Sequence, residues 1–193
     1  MSAPTAPSAG PASPAAPFGS PQALVFRSAD WALMRQLGVG RDVHPVRLRL
    51  AIGLARHSGW LVAAAMVHAA LAHGLGTAML GSLVLAGLVQ LGCKRLARHL
   101  NAPRPFALGL CPNHLGHSAR GGMPSTHATV LAFLAACTLP LAPMAPALWC
   151  LAPVALLTGW ARVQAGAHFP SDVLLGLALG YGLGLLVPAS TLL

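Results

Sequence analysis

The chain has 193 residues, 55% hydrophobic and only 8% charged, far below the roughly 25% charged residues of soluble domains, and it reads as an integral membrane protein. Its formal charge is +9, yet the acidic residues number only three, Asp30, Asp42 and Asp172. The clustered carboxylates of two-metal phosphatases, glycosidase dyads and Mg-dependent kinases cannot be assembled from these, so neither a metal nor any other cofactor is expected.

The excess of basic residues does not indicate a nucleic-acid partner. Arg27, Arg35, Arg41, Arg47, Arg49 and Arg56 precede or open the first apolar stretch, and Lys94, Arg95, Arg98, Arg104 and Arg120 surround one connection. A DNA or RNA binder would carry its cations on a soluble domain with a recognisable reading motif. This distribution suits anionic headgroups and a phosphate pocket instead.

In chain order, residues 1–23 are rich in Pro, Ala and Ser with no apolar period and no signal-peptide core, and are predicted to be a disordered tail. Residues 24–193 are predicted to form one membrane-embedded domain. It opens with an interfacial helix over 24–40, because Leu24 to Leu37 is amphipathic, is interrupted by Arg27, Asp30 and Arg35, and is too short to cross a bilayer. Apolar segments at 52–72, 76–96, 126–142, 146–164 and 171–190 are each near spanning length. The predicted fold is thus an all-α bundle of about five transmembrane helices plus the interfacial helix.

The connection at 97–124 is too polar to span, and a loop of that length is functional or disordered. Within it "CPNHLGH" offers Cys111, His114 and His117, one short of a closed metal site, and is read as a polar loop over the headgroups. Cys93, Cys137 and Cys150 fall in apolar segments, where a thiol behaves as a small hydrophobe, so no disulfide framework is predicted.

Two stretches carry chemistry. In "GGMPSTHATVLAF" Pro124 disfavours helix at Met123, and Ser125 before an apolar run is an N-cap signal. Ser125, Thr126 and His127 are therefore predicted at a helix N-terminus, where free N–H groups and the helix dipole favour an anion. In "WARVQAGAHFPSDVLLG" Arg162 precedes His168 and Asp172, whose i,i+4 spacing at the head of another apolar helix stacks a carboxylate against an imidazole. Such a partner on one ring nitrogen fixes the tautomer and leaves the other nucleophilic. Asp172 is the only acid after residue 42, and an ionisable residue at the edge of a span marks a functional site.

With these residues in place the chain resembles the type 2 phosphatidic acid phosphatase (PAP2) superfamily, whose signature runs Lys-x6-Arg-Pro, Pro-Ser-Gly-His and Ser-Arg-x5-His-x3-Asp. Arg104-Pro105 matches the end of the first part. Pro124 to His127 matches the second with Thr126 for Gly, and Ala161-Arg162 to His168 and Asp172 matches the third with Ala for Ser. The family lysine falls at Ala97; Lys94 lies about one helical turn earlier and Arg98 one residue later, and Lys94 is preferred.

The resemblance implies a metal-independent phosphatase with a PAP2/haloperoxidase-like core. Arg104, Arg162, Lys94, Ser125 and the backbone at Thr126 would hold the phosphate. His168 would attack phosphorus to give a phosphohistidine, with Asp172 stabilising the imidazole, and His127 would protonate the leaving oxygen and then activate water. The implied partners are a lipid phosphate or polyprenyl diphosphate and the bilayer that holds it. A phosphatase of a soluble sugar phosphate and an inactive lipid-binding protein remain as alternatives, whereas the apolar spans argue against a haloperoxidase. Similarity to bacterial members implies the inner membrane with the site facing the periplasm. Against that side, the basic residues before the first span favour a cytoplasmic N-terminus, and five spans would put the motif-bearing ends there too.

Overall fold

The computed structural model describes residues 21–39 and 43–192. The expected tail, residues 1–23, lies outside the described residues except for its last three, which open the first helix, and Asp42 lies outside them as well. The described chain is helical without a strand: α1 Pro21–Gln36, α2 Pro45–Ala72, α3 Gly76–Leu100, α4 Thr126–Thr138, α5 Leu151–Gln164, α6 Pro170–Leu185 and a short α7 Ala189–Leu192.

Three helical stretches are long and apolar enough to cross a membrane: Pro45–Ala72, Gly76–Leu100 and Pro146–Gln164, the last including a 3-10 turn ahead of α5. The first starts seven residues earlier than the apolar run suggested, because Pro45 sits at the first helical position, where its missing N–H has no intrahelical partner in any case. The two apolar helices at Thr126–Leu141 and Pro170–Leu185 are shorter; at 1.5 Å per residue a 16-residue helix such as α6 spans about 24 Å.

The short length of α4 follows from its position. It lies at the centre of the bundle against α3, α5 and α6, and ten consecutive or near-consecutive residues from Ala128 to Thr138 are buried. The main core joins Val62 and Met66 of α2, Met79 of α3, Phe133 and Leu134 of α4 and Leu151 of α5. Outside this core the long helices present large apolar side chains outward, Leu71 at 83% and Trp60 at 73% exposure among them. Apolar surface on that scale is stable only against lipid.

The α4–α6 contact is the most extensive among the described elements, and glycine makes it possible. Gly176, Gly180 and Gly184 recur every four residues on α6 and are buried. A Cβ on Gly180 would stand 2.0 Å from the Thr129 carbonyl oxygen, and one on Gly184 would stand 2.7 Å from that of Phe133. In lipid, where burial of apolar surface does not by itself drive helix association, such small-residue seams let backbones approach and gain dispersion contact. Gly180→Ala should therefore destabilise the protein by about 1–3 kcal/mol, the range for overpacking a tight core, visible as a lowered thermal midpoint in detergent. Gly182→Ala, with nothing within 4 Å of the new Cβ, should leave the midpoint unchanged.

Candidate active site

The two motif-bearing helix ends meet directly. The Ser125 N–H donates to the Asp172 carbonyl oxygen at 2.9 Å, and a Cβ on Gly176 would stand 2.8 Å from the Ser125 carbonyl oxygen. Ser125 occupies the N-cap position of α4 in extended conformation, as expected, but its hydroxyl makes no capping bond. It is fully buried and its Oγ has no hydrogen-bond partner.

The connection after α3 folds back over these ends. Asn101, at φ 47°, stops α3 and returns its N–H to the Ala97 carbonyl. The chain leaves through Pro103 and comes back beside it at Arg120, with Arg104 N–H to Ala119 O at 3.1 Å and Gly122 N–H to Ala102 O at 3.0 Å. Gly122 is needed at this crossing, since a Cβ there would lie 3.2 Å from Arg104 Cγ and 3.3 Å from the Pro103 carbonyl oxygen.

This fold-back sets His168. Its Nδ1–H donates to the Gly122 carbonyl at 2.7 Å, which directs the Nε2 lone pair toward Arg104, whose NH1 lies 3.0 Å away. The same guanidinium donates to the carbonyls of Ala167 at 2.8 Å and Gly121 at 3.2 Å. Burial, and next the positive charge of Arg104, hold the imidazole well below the usual histidine range. With Nδ1–H on the Gly122 carbonyl, the geometry fits the Nδ1–H tautomer, with Nε2 facing the guanidinium.

Asp172 differs from the expectation of a direct carboxylate–imidazole bond. Its Oδ2 accepts the Phe169 N–H at 3.0 Å and lies 3.9 Å from His168 Nδ1. The physical reason is the helix terminus: Phe169, at the N-cap, has no side-chain acceptor, so the carboxylate at the third helical position turns back to satisfy an orphan N–H. The Gly122 carbonyl takes the tautomer-fixing place. Asp172 remains within ion-pair distance of the ring and partly offsets the burial of Arg104.

Arg162, in the last turn of α5, is 3% exposed. It donates to the Ala55 carbonyl of α2 at 3.1 Å and points NH1 at His117 Nε2 at 2.8 Å. His117 was read from the sequence only as part of a loop over the headgroups. The fold separates the three loop candidates: Cys111 Sγ packs on Gly166, the His114 carbonyl accepts from Arg56, and His117 enters the site. An Asn113 side chain holding both the N–H and C=O of His117 shapes that turn, a bond pattern that a one-dimensional pattern of residue types does not disclose.

Lys94, Arg104, Thr126, His127 and His168 line one cavity of about 970 Å³ together with His117 and Arg98. Ser125, Arg162 and Asp172 are buried at its polar end rather than lining it. Lys94 joins Arg104 and Arg162 in acting electrostatically on His127. Thr126, where the family has glycine, turns its hydroxyl toward Cys93 Sγ of α3 at 3.6 Å. Arg104 Nε and Arg162 Nε join Ser125 Oγ as buried polar atoms without a hydrogen-bond partner. Each comes from a different one of the three motifs, and together they form a set of groups suited to tetrahedral oxyanions.

A guanidinium pair, a serine without a capping bond at a helix N-terminus and a histidine placed as its Nδ1–H tautomer are groups suited to a phosphoryl group. A sequence profile of the PAP2 superfamily matches residues 75–192, and the chain belongs to that superfamily and with it to the enzymes that hydrolyse phosphate esters. Among solved structures it is similar to a transmembrane PAP2-type phosphatidylglycerolphosphate phosphatase from Bacillus subtilis, at 24% identity and a TM-score of 0.65 over 84% of each chain. It is also similar to LpxE of Aquifex aeolicus, at 21% identity and a TM-score of 0.58 over 80% of this chain and 89% of the other. No curated protein sequence matches it significantly.

The histidines beside the two guanidiniums make stability pH-dependent. His117 is pushed down to about 4 by burial, with Arg104 and Arg162 adding to the effect, and His168 is also lowered. The unfolded chain, with histidines near 6.5, binds more protons than the folded one between these values, so stability must fall as pH drops from about 6.5 toward 4. Thermal melts in detergent across that range should show the decline, and His117→Gln should flatten it.

Proposed function

We propose that the protein is a metal-independent lipid phosphatase that works through a phosphohistidine. The observation carrying the lipid reading is the two-sided character of the cavity. Its polar end holds Lys94, Arg104, His117, His127 and His168, and it continues along Val62, Met66 and Leu83 and past Val130, Leu131 and Leu134. A soluble sugar phosphate has no use for an apolar wall of this extent, whereas an acyl or prenyl chain lies along it.

In this reading Arg104, Arg162, Lys94, Ser125 and the first-turn N–H groups near Thr126 hold the phosphoryl oxygens. His168 Nε2 attacks phosphorus in line, forming the P–N bond as the P–O bond to the lipid breaks, and His127 gives the leaving oxygen its proton. Charge developing on His168 is met by the Gly122 carbonyl at Nδ1–H and by Asp172 at 3.9 Å. His127, now a base, takes a proton from water, which attacks the phosphohistidine and releases phosphate. Metal ligation is not called on, since the described residues carry two carboxylates, Asp30 and Asp172, and no cluster of them.

The membrane proposed is the bacterial inner membrane, with the site toward the periplasm. A second orientation is favoured by one observation: the start of α2, the ends of α3 and α5 and the starts of α4 and α6 all meet at the site, so every Lys and Arg in the described residues lies toward that end, and residues 73–75, 142–150 and 186–192 carry none. That asymmetry favours a cytoplasmic site. Labelling of a cysteine introduced near residue 115, in a Cys111-free background, with an impermeant reagent separates the two.

Purified protein should release phosphate from phosphatidic acid, phosphatidylglycerol phosphate or a polyprenyl diphosphate in excess EDTA, and much less from glucose 6-phosphate. Activity lost in chelator and restored by Mg²⁺ or Zn²⁺, or release from the sugar phosphate alone, would overturn the proposal.

The two histidines should also separate. His168→Ala should abolish turnover of every substrate. His127→Ala should retain a stopped-flow burst with p-nitrophenyl phosphate, whose leaving group needs no proton, and accumulate an acid-labile, base-stable phosphoenzyme. A burst from His168→Ala would reverse the assignment.

A further inference from the structure

One carboxylate reaches the site from far upstream of the family-matched segment. Asp30 of α1 is 6% exposed, and each of its oxygens bonds Ser171: Oδ1 accepts the Ser171 backbone N–H at 3.0 Å, and Oδ2 accepts the Ser171 hydroxyl at 2.5 Å. Ser171 is the second residue of α6, so its N–H is one of the four that the helix itself cannot satisfy. An ionised acceptor there makes a charge-assisted bond and faces the positive end of the helix dipole.

The contact is not an isolated surface pairing. Met34 and Val39 pack in one cluster with Phe169, Val173, Val163 and Ala128, and Met34 and Phe169 are both fully buried. The same helical turn is held from within by Asp172, which takes the Phe169 N–H. His168 immediately precedes Phe169, and the carbonyl just before it, that of Ala167, receives Arg104. Two carboxylates, one from α1 and one from α6 itself, thus hold the turn that follows the imidazole.

We propose that Asp30 is a positioning residue for phosphoryl transfer: by clamping the N–H and hydroxyl of Ser171 it fixes the 168–172 turn, and with it the line of His168 Nε2 toward the substrate phosphorus. α1 is then part of the catalytic framework as well as a helix at the membrane surface. The kinetic half of this proposal rests on the phosphatase reading; the anchoring half does not.

The test uses the full chain in detergent or bilayers, with Asp30→Ala, Asp30→Asn, Ser171→Ala and the Asp30→Ala/Ser171→Ala double variant. It reads turnover of p-nitrophenyl phosphate, thermal midpoint, and hydrogen exchange of the peptide covering residues 168–174. Asp30→Ala should lower kcat about tenfold or more, as loosened geometry at a reacting group does, with KM within about twofold, and should speed exchange in that peptide. Asp30→Asn keeps an oxygen for the Ser171 N–H and an amide for its hydroxyl, and should recover most of kcat. The double variant should be no worse than Asp30→Ala. Unchanged kcat and exchange in Asp30→Ala would overturn the proposal. So would a kcat loss that merely tracks a lowered midpoint and is not rescued by Asn. If Asp30→Ala does not fold, the Asn and Ser171→Ala variants carry the same comparison. A wild type without turnover, in which Asp30→Ala still speeds exchange, would strike the phosphatase reading and leave the clamp standing.

Discussion

The bond from the Ser125 N–H to the Asp172 carbonyl is the constraint on which the site depends. It fixes the start of α4 against the first turn of α6, and it exists only because Gly176 leaves room for the Ser125 carbonyl beside it. From that junction one helix presents its first-turn N–H groups, Ser125 Oγ and His127, while the other presents the turn carrying His168. The glycine seam running on through Gly180 and Gly184 extends the alignment along the helices, so the relative placement of the two motifs is set by backbone contact and not by flexible side chains. Preorganisation of this kind spares reorganisation when charge develops.

The electrostatics follow from the shortage of acids. Arg104 and Arg162 are placed close enough for each to depress the proton affinity of the site's histidines. Their N–H groups go instead to the carbonyls of Ala55, Gly121 and Ala167 and to histidine ring nitrogens. Neutral acceptors orient a guanidinium without cancelling its charge. In the proposed reading, a dianionic phosphate meets two cations whose geometry is already fixed.

Much of this was legible in one dimension. Apolar run length gave the helices, and Ser125, His127, Arg162, His168 and Asp172 were placed because helix-end positions impose recognisable residue types. What escaped did so for physical reasons. Gly122 acts through its carbonyl, which every residue possesses, so nothing in its identity announces the bond to His168. His117 depends on a fold-back stabilised by Asn113 and by backbone bonds between residues 102–104 and 119–122. Asp30 is paired across a separation of 141 residues. The glycine repeat on α6 was visible, but its partner backbone was not. The expected Asp172–His168 bond was displaced because the helix N-terminus offered the carboxylate a closer donor.

The brevity of α6 has a further consequence for the surrounding lipid. Its outer face, with Leu174 at 63% and Leu185 at 58% exposure, contacts acyl chains along a helix of 16 residues, about 24 Å against a hydrocarbon thickness of about 30 Å. A helix shorter than the hydrocarbon thickness is matched by local thinning of the bilayer and a longer one, such as the 28-residue α2, by tilting. Lipid beside α6 and lipid beside α2 therefore meet apolar flanks of unequal length.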